Sequence, residues 1–189
     1  MDNKYANVPL CETCTDLFLA SQRNHPKCLE KLLLEEEQLK NINLRTLHDG
    51  TALCVAANKG HIECVNVLIN IGKADVNICD WAGNTPLHLC AYWADQSFIV
   101  KGTPNYPIVN KDNGYELCVL KLLESDANPY AENYHISKRT PIDIAQNDKI
   151  KKLIEKHHLK DNCGVDVYPY ISLKPYTKKE DPIIPCDFY

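Results

Sequence analysis

One pattern of residues recurs along this chain, and that repetition limits its fold more than any other feature. Four threonines stand at matching places, and each is followed two and four residues later by aliphatic side chains. They are Thr15, Thr51, Thr85 and Thr140. The first two intervals are close to the roughly 33-residue period of stacked helix–turn–helix units. Because one such unit cannot bury its own apolar face, the pattern predicts a stack of repeats.

A cysteine that opens an apolar run is the second landmark of the first three copies. Cys28 and Cys64 follow their threonines at the same distance, whereas Cys118 in the third copy lies much farther along the chain. The extra residues fall at about 94–114 and include several Gly, Pro and Asn residues typical of loops. Long loops are often functional, but lengthening a surface loop also costs little entropy. Both interpretations of this insertion stay open.

The residues at the start of each copy have clear local roles. A threonine before a helix caps it by accepting a bond from an unpaired amide, so we predict a threonine cap in every copy. A proline after the threonine suits the first helical position. On the segments 51–65, 74–91 and 126–131 the chain resembles the ankyrin-repeat family, over about residues 10–158. The resemblance implies an all-α solenoid of about four repeats, with hairpin turns between helix pairs.

The resemblance also suggests domain boundaries. We predict an N-terminal segment at 1–14, an ankyrin-repeat domain at 15–158 with repeats starting near 15, 51, 85 and 140, and a Tyr/Pro-rich tail at 159–189. The fourth copy is short, so we expect its second helix to be one turn shorter than the others and polar enough to close the stack.

Charge and hydropathy exclude several functions. A net charge of −4 and a pI near 6.0 attract neither nucleic acid nor an anionic membrane. The chain has no apolar run long enough to span a bilayer and begins without the apolar core of a secretory signal. We therefore expect a cytoplasmic monomer, or one in the host cytoplasm or nucleus if it is an effector, with no small-molecule substrate.

Ten cysteines raise the question of a metal or redox function. Cys28, Cys64 and Cys118 share one repeat position, where a thiol acts as a small buried hydrophobe. Cys11 and Cys14 have the spacing of half a zinc site or of a redox pair. Since a second such pair is absent from the sequence, we expect no metal and no cofactor. A zinc-binding or redox-sensing protein using these two residues stays the alternative.

No pattern of catalytic residues stands out. The chain has seven histidines but no phosphate-binding loop. His61 and His88 occupy positions that the repeat itself explains, at the helix–helix turn and beside Thr85. We therefore predict no enzymatic activity and no catalytic residue.

The resemblance implies that the chain binds a protein partner through a concave face built from hairpin tips and first helices. We expect a non-catalytic adaptor, scaffold or regulatory inhibitor that also uses the third-repeat insertion. A pathogen or viral effector is one form that such a protein takes. A substrate receptor of a ubiquitin ligase is a further alternative. Tryptophan and tyrosine dominate interface hot spots. The predicted partner-binding residues are Asp80, Trp81, Tyr130, Tyr134 and His135 at the tips, and Asn58, Lys59, Tyr92 and Trp93 along the first helices.

Overall fold

A computed structural model describes residues 14–46, 49–94 and 114–161. Within these ranges the only β-structure is an isolated antiparallel bridge between Thr46 and Gly50, so the predicted all-α class is confirmed. None of the described helices combines the length and apolarity needed to cross a bilayer. The helices are α1 Leu17–Gln22, α2 Pro26–Leu32, α3 Glu36–Lys40, α4 Ala52–Lys59, α5 Ile62–Asn70, α6 Pro86–Trp93, α7 Gly114–Glu124, α8 Pro141–Ile144 and α9 Asp148–Asp161.

The helices form two rows. The first helices α1, α4, α6 and α8 pack side by side in chain order, and the second helices α2, α5, α7 and α9 pack in the same order behind them. Each first helix also packs against the second helix that follows it. This is the stacked arrangement that the repeat pattern predicts, with the short helix α3 added between the first and second pairs.

Two of the threonine caps are formed as predicted. The side chain of Thr51 accepts a hydrogen bond from the backbone N–H of Cys54 at 3.2 Å at the start of α4. Thr140 accepts one from the N–H of Asp143 at 3.4 Å at the start of α8. Both bonds satisfy amides that have no partner inside the helix.

The predicted cap of the first helix is wrong. Helix α1 begins at Leu17, and the carboxylate of Asp16, not Thr15, accepts the bond from the Leu19 N–H, at 2.8 Å. A capping acceptor must stand directly before the first helical residue. Because α1 begins one residue later in its copy than α4 does, aspartate takes this role.

The fourth pair also differs from the prediction. Its second helix is not shortened, since α9 runs over 14 residues. The first helix is short instead: α8 has four residues and ends where Ala145 turns to an extended backbone. The shortening that was predicted for the second helix of this copy is therefore found in its first helix.

The core follows the repeat positions. Leu17, Leu53 and Leu87 lie at one position of successive first helices, and all three are buried. The cysteine position of the second helices is buried too, at Cys28, Cys64 and Cys118, in agreement with its interpretation as a small hydrophobe. The pKa of Cys64 is raised to about 12, chiefly because burial disfavours the thiolate. Its thiol therefore stays protonated at neutral pH.

The described helices α6 and α7 stand on either side of the predicted insertion, most of which lies outside the described residues, as do 1–13 and 162–189. The start of α7 is anchored to the preceding repeat. Tyr115 donates a hydrogen bond from its hydroxyl to the carbonyl oxygen of Asn58 at 3.2 Å. Its ring lies 3.1 Å from where a Cβ would stand on Gly60. Because Gly60 has a φ of 68°, a side chain there would also strain the turn.

Candidate binding surface

The loop before α6 forms a tight tip at residues 80–84, here named tip A. Asp80 organises it from inside. Its carboxylate accepts hydrogen bonds from the N–H groups of Ala82 and Asn84 at 2.9 and 2.8 Å. Arg45 donates to the Asp80 carbonyl oxygen at 3.0 Å. Asp80 is only 7% exposed, because its carboxylate satisfies amides of the tip itself, and its role in partner binding stays a prediction.

Trp81 points the other way at the same tip. It follows Asp80 directly and is 67% exposed. The turn is closed by a hydrogen bond from the Gly83 N–H to the Asp80 carbonyl oxygen at 3.1 Å. Gly83 has a φ of 81°, which other residues rarely adopt. The tip therefore holds a large aromatic side chain in solvent on a well-defined backbone.

The loop before α8 forms a longer tip at residues 133–139, here named tip B. Asn133 plays the part that Asp80 plays in tip A. Its side-chain oxygen accepts bonds from the N–H groups of His135 and Arg139 at 3.2 and 3.0 Å. This loop is two residues longer than tip A and carries two apolar side chains outward: Tyr134 is 58% exposed and Ile136 is fully exposed. His135, also exposed, lies 2.7 Å from the Ser137 hydroxyl.

The two tips are joined to each other. The Tyr134 N–H donates to the Ala82 carbonyl oxygen at 2.9 Å. Its hydroxyl lies 3.6 Å from the sulfur of Cys79. A Cβ on Gly83 would lie 2.6 Å from the Tyr134 nitrogen, so only glycine allows this approach. We name the outward side chains of the joined tips, Trp81, Tyr134 and Ile136, the tip surface.

The buried histidine of the family motif holds tip B in place. His88 accepts a hydrogen bond from the N–H of Thr85 at 3.2 Å through its Nδ1. Its Nε2 lies 3.0 Å from the Arg139 carbonyl oxygen, so this nitrogen carries the proton. Burial lowers the pKa of His88, which favours this neutral form. The imidazole thereby ties the start of α6 to the base of the next tip.

A shallow groove of about 200 Å³ lies beside tip A, between the loops and the helices α1, α4 and α6. It brings together Asn58, Lys59 and Asp80, three residues that were predicted to bind a partner. Lys59 is exposed and Asn58 is half-buried. The residues that line the groove are Gln22, Asp49, Val55, Asn58, Lys59, Asp80 and Leu89.

The other predicted contacts lie at the edges of this region. Tyr92 and Trp93 stand at the end of α6, with ring centroids 5.1 Å apart and planes at 85° to each other. Tyr92 is exposed and Trp93 is half-buried. Tyr130 is exposed on the loop that precedes tip B. The predicted insertion that follows these two residues of α6 lies at positions 95–113, outside the described residues.

Ile136 is a surface residue that the sequence prediction missed. It stands alone among polar residues in the segment Tyr-His-Ile-Ser-Lys, where neither a helical nor a strand period continues. That isolation is the signal from which its exposure can be read. The sequence did not indicate that the loop is long enough to hold this side chain away from the packed helices.

One group of side chains in the described ranges has the composition of a metal site. Cys14, His25 and Cys28 each offer a ligand atom, and these atoms all lie within 4.8 Å of one another. The group belongs to the first repeat, whereas the tips belong to the last two. The sequence prediction assigned Cys28 to the core and did not include His25.

Comparison with known proteins places the chain among repeat-containing proteins. Residues 17–102 match the family described as ankyrin repeats, in three copies. Mouse oxysterol-binding protein-related protein 1 is 31% identical over 136 residues, which are 71% of this chain and 12% of that protein. Mouse protein phosphatase 1 regulatory subunit 12A is 36% identical over 109 residues, 56% of this chain and 10% of that protein. Tyrosine-protein kinase HTK16 of Hydra vulgaris is 27% identical over 146 residues, 69% of this chain and 19% of that protein. The chain thus spans less than a fifth of each relative.

Proposed function

This chain belongs to the ankyrin-repeat family, and from that premise we propose that it is a non-catalytic adaptor, scaffold or regulatory inhibitor that binds a partner protein through the tip surface and the adjoining groove. Ankyrin repeats typically serve protein–protein interaction rather than catalysis. We place this activity in the cytoplasm. In support, the cysteines that the structure describes form no disulfide with one another, as is usual in a reducing compartment.

The observation that carries the proposal is the exposure of apolar side chains on the joined tips. Ile136 is fully exposed, and Trp81 and Tyr134 expose more than half of their surface. Exposed apolar residues that cluster in this way are typical of interaction sites, and Trp and Tyr contribute strongly to binding when a partner desolvates them.

The tips are also preorganised. Their backbones are fixed by the internal bonds of Asp80 and Asn133 and by the bond from Tyr134 to Ala82. A loop that is ordered before binding loses less conformational entropy on binding. The partner that fits this surface offers an apolar pocket to Trp81 and Ile136 and a hydrogen-bond acceptor to Lys59 in the groove.

The test compares tip variants with a variant on the other row of helices. We would couple wild-type protein, Trp81→Ala, Ile136→Ser and Leu117→Ala to a matrix and quantify the captured proteins by mass spectrometry. Leu117 is the matched control because it is 47% exposed but lies on α7, a second helix. For a partner identified in this way, we expect Trp81→Ala to weaken binding at least about 30-fold, since hot-spot residues contribute about 2 kcal/mol or more.

The control defines the outcome that contradicts the proposal. If Leu117→Ala removes the captured partner and both tip variants keep it, binding uses the second-helix row instead. The substrate-receptor alternative depends on the tail, and residues 162–189 lie outside the described residues. If a variant that lacks residues 162–189 still captures the partner, then partner recognition by the tips does not require the tail.

A further inference from the structure

The first repeat gathers three side chains that bind metal ions in many proteins. Cys14 lies just before α1, while His25 and Cys28 lie at the start of α2. The sulfur of Cys14 is 3.1 Å from Nδ1 of His25. The ligand atoms of all three residues lie within 4.8 Å of one another. Both cysteines are buried and the histidine is half-buried.

The second repeat shows that repeat geometry alone does not produce this grouping. His61 and Cys64 occupy the same positions in that repeat as His25 and Cys28 in the first. Nδ1 of His61 donates to the carbonyl oxygen of Ser21 in the preceding repeat, at 2.8 Å. The position of Cys14 is taken by a glycine, at residue 50. The second repeat therefore has a histidine and a thiol but not the third ligand.

The third repeat follows the second. Tyr115 stands at the histidine position, and its hydroxyl donates to the carbonyl oxygen of Asn58, again in the preceding repeat. In the described part of the chain, no repeat precedes the first one. The ring of His25 faces the Cys14 thiol, whereas the equivalent residues His61 and Tyr115 face backbone carbonyl oxygens.

We propose that Cys14, His25 and Cys28 supply three ligands of a tetrahedral Zn²⁺ site. Two sulfur ligands and one imidazole favour zinc, whose structural sites combine cysteine and histidine in tetrahedral geometry. Bond lengths of about 2.3 Å to sulfur and 2.0–2.1 Å to nitrogen place neighbouring ligand atoms about 3.5–3.8 Å apart. The ligand atoms present here reach that spacing through side-chain shifts of well under the length of one bond. Each cysteine that binds loses its thiol proton to solvent, with no change of oxidation state.

The ion would stabilise the first repeat. It joins the segment before α1 to the start of α2 in a repeat that, among the described residues, has a neighbour on only one side. A repeat that stacks on one side only buries less of its apolar surface and gains more from such a link. This inference goes beyond the proposed binding function and does not depend on it, since the tip surface lies in other repeats.

The test uses the full chain, purified in a reductant that does not bind metal and freed of metal by a chelator. We expect the protein to take up one Zn²⁺ per chain, measured by elemental analysis and by competition with a chromophoric chelator. Substitution of Co²⁺ for zinc should give the visible absorption of a tetrahedral site and a near-ultraviolet thiolate charge-transfer band. Absence of stoichiometric metal or of the thiolate band would overturn the proposal.

The repeat supplies a matched pair of variants. Cys28→Ala and Cys64→Ala each remove one buried thiol at the same repeat position. We expect Cys28→Ala to weaken zinc binding at least about 100-fold, since loss of a direct ligand exceeds the usual effect of a supporting residue, and Cys64→Ala to leave it unchanged. Equal behaviour of the two variants contradicts the site.

A further variant keeps the test decisive if Cys28→Ala does not fold. His25→Gln replaces a half-buried ligand and should also abolish the cobalt spectrum. Removing zinc from wild type should lower the unfolding temperature by about 5–10 °C, and removing it from His25→Gln should have no effect.

Discussion

In the second repeat, the His61 ring reaches back to the Ser21 carbonyl oxygen at 2.8 Å, whereas in the first repeat the His25 ring lies 3.1 Å from the Cys14 sulfur. The two histidines occupy the same repeat position, but only the second has a described repeat in front of it. Among the described residues, His61 bonds to the repeat in front of it, whereas His25 contacts a thiol of its own repeat. Histidine at this one repeat position therefore has a backbone carbonyl as its partner in the second repeat and a thiol in the first.

The same contrast extends to the residues around these histidines. The cap of the first helix is Asp16 in one repeat and Thr51 in the other. Ser21 of α1 occupies the position that Ala57 takes in α4. At these two positions, Asp16 and Ser21, the first repeat has a polar residue where the second has an alanine, Ala52 and Ala57. The following predictions compare equivalent substitutions in these two repeats.

The largest effect is expected in the leucine core. Leu53→Ala should destabilise the protein by about 3–4 kcal/mol, and Leu17→Ala by about 2–3 kcal/mol, because a cavity between two neighbouring repeats can collapse less than one at the end of the stack. Urea denaturation of both variants measures the difference. Equal losses, or a larger loss at Leu17, would contradict the idea that the first repeat is the less constrained one.

Replacing the two histidines should separate the roles of the two repeats. His61→Ala leaves the Ser21 carbonyl oxygen without this donor and should cost about 1–2 kcal/mol, with or without a chelator. The cost of His25→Ala should depend on zinc and fall toward zero when a chelator is present. Thermal unfolding in both conditions checks this, and a chelator effect on His61→Ala would argue against the assignment.

Removing a buried hydroxyl from the first repeat should stabilise it. The Ser21 side chain is fully buried, and its oxygen finds no hydrogen-bond partner among the described residues. Ser21→Ala copies the residue at this position in the second repeat and should raise stability by about 1 kcal/mol, because an unsatisfied buried hydroxyl is unfavourable. A loss of stability in denaturant titrations would indicate a partner outside the described residues.

The smallest effect concerns pH. Burial lowers the pKa of His61 below its ordinary value of 6.5. Below about pH 6.5 the unfolded chain therefore binds more protons at this residue than the folded chain does, so stability falls as the pH falls through that value. His61→Gln should weaken this decline between pH 7 and pH 5.5. A steeper decline in the variant would mean that protonation of His61 stabilises the fold.

Local and nearest-neighbour features were predictable from the sequence. The spacing of the threonines, the buried leucines and the cysteine position of the second helices predicted the helix pairs and their stacking, since each depends on contacts that recur with the repeat. The predictions were wrong where a local register changed, as at Asp16, or where a helix shortened, as at α8. Neither change alters the repeat period from which the prediction was made.

What the sequence by itself determined is the architecture: a repeat of this period with these buried positions has to stack, because no copy can bury its apolar face alone. Only the tertiary structure decided which polar and apolar side chains turn outward or meet. It placed the Asp80 carboxylate inside its tip, carried Ile136 into solvent on a longer loop, and brought Cys14 to His25 and Cys28. These outcomes depend on the length of each loop and on the contacts between neighbouring repeats. The residue pattern of a single repeat does not specify either of them.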